Sequence, residues 1–270
     1  MTTTISAAEN PALANNLVQQ AMAQAPAAPA DVQILLPSDN IVMLPGGFLT
    51  PTGDIVHEAE VRELNGNDEE AISRANSMGR AILTVLQRGT VRVGNQKVTE
   101  EILDKMLTGD RDTLVLGIVK ATFGTKTTIP SYCAGCNESK DVEIDLNEDI
   151  KVTSLTDPIN DRVFTVKGKK HEYTVQLPLG SVQKEILLNP DKTVAEQNTM
   201  LLENCVLKID NSPVLSKIQV QQLGMVDRKA ISAAINDRVV GPKFDDVIIT
   251  CPDCEGEVRV PVNFGTLFQF

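Results

Sequence analysis

The sequence predicts an α+β fold in which short β-hairpins and amphipathic helices gather around a zinc-ribbon-like pair of Cys-x-x-Cys knuckles. Three observations carry this expectation. From Val247 to Val262 the chain reads VIITCPDCEGEVRVPV: a β-branched run, then Cys251 and Cys254 around Pro252 and Asp253, then Val258, Val260 and Val262 alternating with Glu257, Arg259 and Pro261. A strand, a tight thiol-bearing turn and a returning strand is the economical local reading. The stretch TIPSYCAGCNESKDVEIDL repeats the arrangement, with Cys133 and Cys136 at the same spacing and Val142, Ile144 and Leu146 alternating afterwards. Elsewhere, apolar residues recur at helical spacing behind capping residues.

Two such turns supply four sulfurs, the donor set that a structural zinc takes in a tetrahedron at roughly 2.3 Å each. The 114 residues between Cys136 and Cys251 are far more than a compact finger inserts, so a joint site is closed by the tertiary fold. One Cys-x-x-Cys alone is a weak signal, whereas two, each followed by an alternating strand, are a strong one. The expectation is one shared zinc on Cys133, Cys136, Cys251 and Cys254. Disulfides, redox thiols and metal-free knuckles are the alternatives. The odd cysteine, Cys205, lies in an apolar helical run and reads as a small buried hydrophobe. An odd count and no recognisable signal peptide point to a reducing compartment, hence to metal for the paired thiols.

Composition sets wider bounds. At 270 residues there is room for one large domain or two small ones. The organisation expected is a mobile Ala/Pro-rich tail over 1–30, an N-terminal α+β unit with the first knuckle over 31–150, and a C-terminal α+β unit with the second over 151–270. The tail assignment rests on ten alanines and three prolines with little apolar surface to bury. Aromatic content of 3% with no Trp means a core of Ile, Leu, Val and Ala. A formal net charge of -11 argues against a protein that grips phosphate backbones. No window reaches the roughly 18 consecutive apolar residues of a membrane span.

The elements follow in order. From Val32 to Leu64, VQILLPSDN, IVMLPGGFL and a run containing Val56, Ala59 and Val61 read as short strands punctuated by Pro and Gly. Asn67 with Glu70 has the capping-box spacing, opening one helix whose stripe is Ile72, Ala75, Ile82, Leu83 and Leu86 and which Gly89 terminates. VRV-GN-QKV reads as a hairpin turning at Gly94 and Asn95. Thr99 caps a second helix through Leu107, and a third runs from Asp110 to Gly124. VFTVKGKKHEYTVQL reads as a hairpin with its turn at Lys167 to Lys170. Thr193 and Glu196 give a second capping box, before a helix carrying Val194, Met200, Leu201 and Cys205. Asp110–Arg111 and Asp227–Arg228 each precede a helix, a glycine, a β run and a knuckle. The separations from Asp to the first Cys are 23 and 24 residues, which suggests an internal helix-plus-knuckle repeat. The terminal NFGTLFQF, with three of the seven Phe, should dock on its own fold or on a neighbour.

Taken together, LPSDN, VRELNGNDEE, VRVGNQKV and LTGDRDTLVLGIVKATFG leading to CAGC, then LLENCVLKIDN and LGMVDRKAISAAI leading to CPDCEGE, resemble a known group. Over roughly residues 32–270 the chain is similar to the tail-assembly and baseplate hub proteins of tailed bacteriophages. The resemblance implies a non-enzymatic protein that helps build the tail hub or chaperones tail components, with zinc on the four paired cysteines. The partners it implies are other tail and baseplate proteins, and an oligomer is compatible with it. The location it implies is the host cytoplasm during assembly, with retention in the virion tail left open.

Catalytic chemistry finds little support. The two histidines, His57 in a charged strand and His171 at the lip of a Lys-rich turn, read as solvated residues. There is no Gly-rich phosphate loop and no GxGxxG. Asp68, Glu69 and Glu70 complement a helix dipole. The cluster Lys167, Lys169, Lys170 reads as a solvated turn. Four thiolates close a zinc site, whereas catalysis needs an open position. Two competing functions are a zinc-ribbon nucleic-acid-binding adaptor, against which the acidic balance weighs, and a thiol oxidoreductase, which would want a cysteine at a helix N-terminus.

Overall fold

A computed structural model describes residues 40–244 and 247–268. The expected Ala/Pro-rich tail and the VQILLPSD segment lie outside the described residues.

The first sheet is an antiparallel meander. Strand β1 (Ile41–Leu49) pairs with β2 (Ile55–Val61), β2 with β3 (Thr90–Val93), and β3 with the short β4 (Gln96–Lys97). The sequence suggested that Pro45 and Gly46 would divide this region into shorter strands. Instead β1 is continuous, with its register against β2 shifting between Met43 and Phe48 and Gly47 at φ 71°. A bulge absorbs the punctuation without ending the strand. In the β3–β4 turn Gly94 alone takes positive φ, at 54°.

The helix expected as one piece from Asn67 to Gly89 is two: α1 (Gly66–Ser73) and α2 (Met78–Gly89). Asn65, rather than Asn67, is the first cap. Its side chain accepts from the Asn67 and Asp68 backbone N–H groups, and Asp68 returns the bond by accepting from the Asn65 N–H at 3.0 Å. Sequence spacing could not separate the two pairs, because an acid stands three residues after each asparagine. Asp68 is also the buried partner of Arg62 at 2.8 Å and Arg88 at 3.2 Å, which holds its carboxyl far below the usual carboxylate range. Ser77 caps α2 separately by accepting from Arg80 N–H, and this second cap is the local reason for the break.

Thr99 caps α3 (Glu100–Lys105), shorter than expected, and α4 (Thr108–Phe123) starts two residues earlier than Asp110. Helix α4 is the centre of the main core. Leu114, Val115, Leu116, Ile118 and Val119 are all buried, so it is covered on nearly every side. Its N-terminus comes so close to the chain at Val240 that a Cβ on Gly109 would stand 1.7 Å from the Val240 carbonyl oxygen.

The long hairpin β5 (Lys126–Cys133) and β6 (Glu138–Asp145) follows α4. After β7 (Lys151–Thr153), β8 (Val163–Lys167) and β9 (Glu172–Gln176) form the hairpin expected around the lysine-rich turn. Next come α5 (Gly180–Leu187), α6 (Val194–Cys205), β10 (Val206–Ile209), β11 (Ser212–Pro213), α7 (Lys217–Gln221) and α8 (Met225–Arg238). Thr193 and Glu196 make the capping box of α6 as read. The sheet β11-β10-β9-β8 carries a second core of Tyr173, Val175, Leu202, Val206, Ile231 and Ile235, and Cys205 is buried in it. Burial pushes the Cys205 thiol up to about 12, which suits the packing role read from sequence.

Strand β12 (Gly241–Lys243) pairs with β7, and the chain closes with β13 (Val247–Thr250), β14 (Glu257–Val260) and α9 (Phe264–Phe268). The terminal aromatic run docks on its own fold: Phe264 packs edge-on against Phe244 at 4.8 Å, and Phe268 against Phe123 at 6.0 Å.

Candidate metal centre

Each knuckle is a turn between two paired strands. Cys133 is the last residue of β5 and Cys136 lies in the turn to β6, while Cys251 directly follows β13 and Cys254 lies in the turn to β14. The two turns have one backbone geometry. The Asn137 N–H donates to the Cys133 carbonyl at 2.9 Å, and the Glu255 N–H to the Cys251 carbonyl at 3.0 Å. Asn137 and Glu255, each following the second cysteine, are left-handed at φ 60° and 55°. Both are strained positions for residues with a Cβ, over-determined by the surrounding turn.

Sheet pairing brings the knuckles together. In the four-stranded sheet of order β13-β14-β5-β6, the two hairpins lie edge to edge with Val258 of β14 opposite Cys133 of β5. All four Sγ atoms then lie within 4.8 Å of one another. Across the knuckles, Cys133 Sγ stands 3.5 Å from Cys254 Sγ and Cys136 Sγ 3.9 Å from Cys251 Sγ. A tetrahedron with metal–sulfur bonds of roughly 2.3 Å has sulfur–sulfur edges of about 3.8 Å. The donor set and its dimensions therefore fit a metal ion. The separations are well beyond a disulfide bond of about 2.05 Å, and all five cysteines are free.

The cluster is covered on the core side. Cys133 and Cys251 are fully buried, Cys136 is half-buried and Cys254 is exposed. The Cys136 backbone N–H, more than any other group, pulls the Cys133 thiol down to about 6, while burial pushes Cys136 up to about 12, helped by hydrogen bonds with the other three thiols. Because thiolates are the metal-binding form, uptake of an ion displaces protons from the thiols of the cluster.

Other residues complete the site, and sequence reading did not find them. Lys140 on β6 ties the knuckles together from outside, reaching Glu138 at 2.6 Å and Asp253 at 2.5 Å. The hydrogen bond with Asp253 above all, and then that with Glu138, raises the lysine above its ordinary range. Gly135 lies against the sulfurs: a Cβ there would stand 2.8 Å from Cys254 Sγ and 3.7 Å from Cys133 Sγ. Small residues inside both turns, Gly135 in CAGC and Gly256 after CPDC, were the available signal for the second feature. The Lys140–Asp253 pair has no local signal, since 113 residues separate its members.

Other residues singled out from sequence stand apart from this centre. His57 is exposed, with Nδ1 3.3 Å from the Leu44 carbonyl oxygen, and His171 is exposed and pairs with Asp210 at 2.5 Å. Lys167, Lys169 and Lys170 are exposed at the hairpin tip. Asp110 and Asp227, the markers of the suggested repeat, are both buried and each accepts from a backbone N–H of another segment: Gly46 at 2.7 Å and Lys169 at 2.6 Å. The chains that follow differ, because α4 leads directly into β5 whereas β12 intervenes between α8 and β13. A repeat is therefore not evident from the fold. No helix among the described residues is long and apolar enough to cross a membrane.

Compared with curated proteins and with solved structures, the chain matches none. The family described as T4 bacteriophage base plate protein matches it over residues 55–240, from β2 to the end of α8, well over half of its length. The matched region holds the main core helix, the first knuckle and the second sheet. The chain therefore belongs to the T4 bacteriophage base plate protein family.

Proposed function

We propose that the protein is a structural or assembly component of the baseplate hub that acts through protein–protein contacts, its fold fastened by one zinc ion on Cys133, Cys136, Cys251 and Cys254. The observation that carries the metal part is the convergence of four sulfurs from two edge-paired hairpins to within 4.8 Å. Family membership supports the baseplate part and contact with other phage proteins. Four thiolates leave no coordination position for a substrate, so the ion serves the fold rather than a reaction. It closes a loop of more than a hundred residues, where the aliphatic core would otherwise act alone. The chain divides near residue 150, and the second knuckle crosses over to complete the first unit's sheet.

A nucleic-acid adaptor is the less favoured alternative. Glu138, Asp253, Glu255 and Glu257 surround the knuckle tips, and Lys140 is held between two of them. Elemental analysis combined with native mass tests the metal: one zinc per chain is expected, and a metal-free protein of native stability refutes it. Co-purification with the other baseplate proteins as a stoichiometric complex tests the role. Absence of any such complex during infection refutes that part separately.

A further inference from the structure

We infer that the cysteine cluster is also a site of covalent oxidation, at which a peroxide joins Cys254 to Cys133 in a disulfide that fastens the two hairpins to each other. The inference goes beyond metal binding, because it needs the convergence of the thiols and not the identity of an ion held by them.

Exposure decides which sulfur reacts first. Cys254 is the exposed member of the cluster, whereas Cys133 and Cys251 are buried and Cys136 is half-buried. An oxidant arriving from solvent therefore meets Cys254. Proximity decides which sulfur answers. Cys133 Sγ stands 3.5 Å from Cys254 Sγ, against 3.9 Å between Cys136 and Cys251. Closing that gap to a disulfide of roughly 2.05 Å takes about 1.5 Å, a movement of side chains rather than of strands. The backbones are already in place for it. The two turns face each other through glycine, since a Cβ on Gly135 would stand 3.8 Å from Gly256 Cα, and Val258 pairs directly with Cys133. Lys140 on β6 holds the tip of the second turn against the first hairpin through Asp253 at 2.5 Å.

The chemistry balances in two steps. The Cys254 sulfur attacks one oxygen of hydrogen peroxide, the O–O bond breaks, and a sulfenic acid and one water result. The Cys133 sulfur then attacks the Cys254 sulfur, the S–O bond breaks, and a second water leaves. Two electrons pass from the sulfurs to the peroxide, and the two thiol protons end in water. An ion on the cluster loses two of its four ligands in the exchange and is released. The new linkage joins residues 121 apart, so it closes nearly the loop that the ion closes. A disulfide within one knuckle would close only about three residues and would leave the hairpins unfastened.

The test treats the full-length reduced protein with one equivalent of hydrogen peroxide, alkylates the remaining thiols and maps the linkages by peptide mass spectrometry. A Cys133–Cys254 linkage is expected, with Cys136, Cys251 and Cys205 recovered in alkylated form. Reducing that linkage in the presence of a chelator is expected to lower the unfolding midpoint by about 10 °C, as the loss of a long-loop closure requires. A linkage within either knuckle, a Cys136–Cys251 linkage in its place, no linkage at all, or a midpoint that reduction leaves unmoved would each overturn the inference. Zinc content, measured on the same sample before oxidation, tests the metal separately, because the linkage map does not depend on it.

Discussion

Replacing Gly135 by Ala probes the thiol cluster without removing a sulfur. The added Cβ would stand 2.8 Å from Cys254 Sγ, whereas carbon and sulfur settle at about 3.6 Å or more. Roughly 0.8 Å of overlap must be relieved by moving either the Cys254 thiol or the CAGC turn. Gly135 is not among the left-handed residues, so the substitution adds no backbone strain and its effect reads on the cluster alone. Cys254 is the exposed member and the easier to displace, which takes one corner off the tetrahedron. Disturbing a supporting group of this kind costs about 10- to 100-fold in metal affinity, and overpacking adds about 1–3 kcal/mol of destabilisation. The assay is competition for zinc against a chelator of known affinity, with thermal unfolding in parallel. Gly66→Ala is the control, since a Cβ there meets nothing within 4 Å. An unchanged zinc affinity in Gly135→Ala, with Gly66→Ala also unchanged, would refute the reasoning that these four sulfurs form one ion's shell.

Further outcomes follow from the same contacts. Burial pushes the Asp110 and Asp112 carboxyls up from 3.8 to about 6 each, so both contribute stability that is fully present below pH 3.8 and is lost as pH rises through about 6. At about 1.4 kcal/mol per unit, the fall is at most about 3 kcal/mol for each. Urea denaturation at pH 4.5 and 7.5 should show the decline, and Asp110→Asn should remove about half of it; an unaltered slope would exclude Asp110 as a source. Asp68→Ala removes a helix cap together with the buried partner of Arg62 and Arg88, and should cost about 3 kcal/mol in the same assay. A loss below about 1 kcal/mol would mean that solvent satisfies the two arginines equally well. Ile118→Ala, in the fully buried helix at the centre of the main core, should cost about 2–5 kcal/mol by calorimetry or denaturation. Stripping the proposed zinc with a chelator should lower the unfolding midpoint and expose the four paired thiols, but not Cys205, to a labelling reagent under native conditions.

Several local features were legible because their causes are local. Thr193 and Glu196 fix a helix start within one turn of chain, and the alternation of Val142, Ile144 and Leu146 fixes which face of β6 is buried. The aliphatic composition anticipated a core of Leu, Val and Ile, while the apolar terminal run called for burial on its own fold or on a neighbour, and the structure shows the first. The failures were also physical. Asn65 and Asn67 offer equivalent capping patterns, and only the clamp of Arg62 and Arg88 on Asp68 decides between them. A bulge at Gly47 lets β1 run through residues that read as breakers. Arg111 looks like an ordinary helical arginine until its Nε is found buried without a partner.

By itself the sequence determined each knuckle: Cys-x-x-Cys between β-forming residues specifies a thiol-bearing hairpin turn within some twenty residues. Membership of the baseplate family was also legible there, in the order of short phrases along the chain. Only the tertiary structure decided that the two knuckles face one another, because strand β14 pairs with β5 across more than a hundred residues. Edge-to-edge pairing depends on backbone groups common to every residue and on the core packed beneath the sheet. No spacing of side chains along the sequence encodes that choice of neighbour.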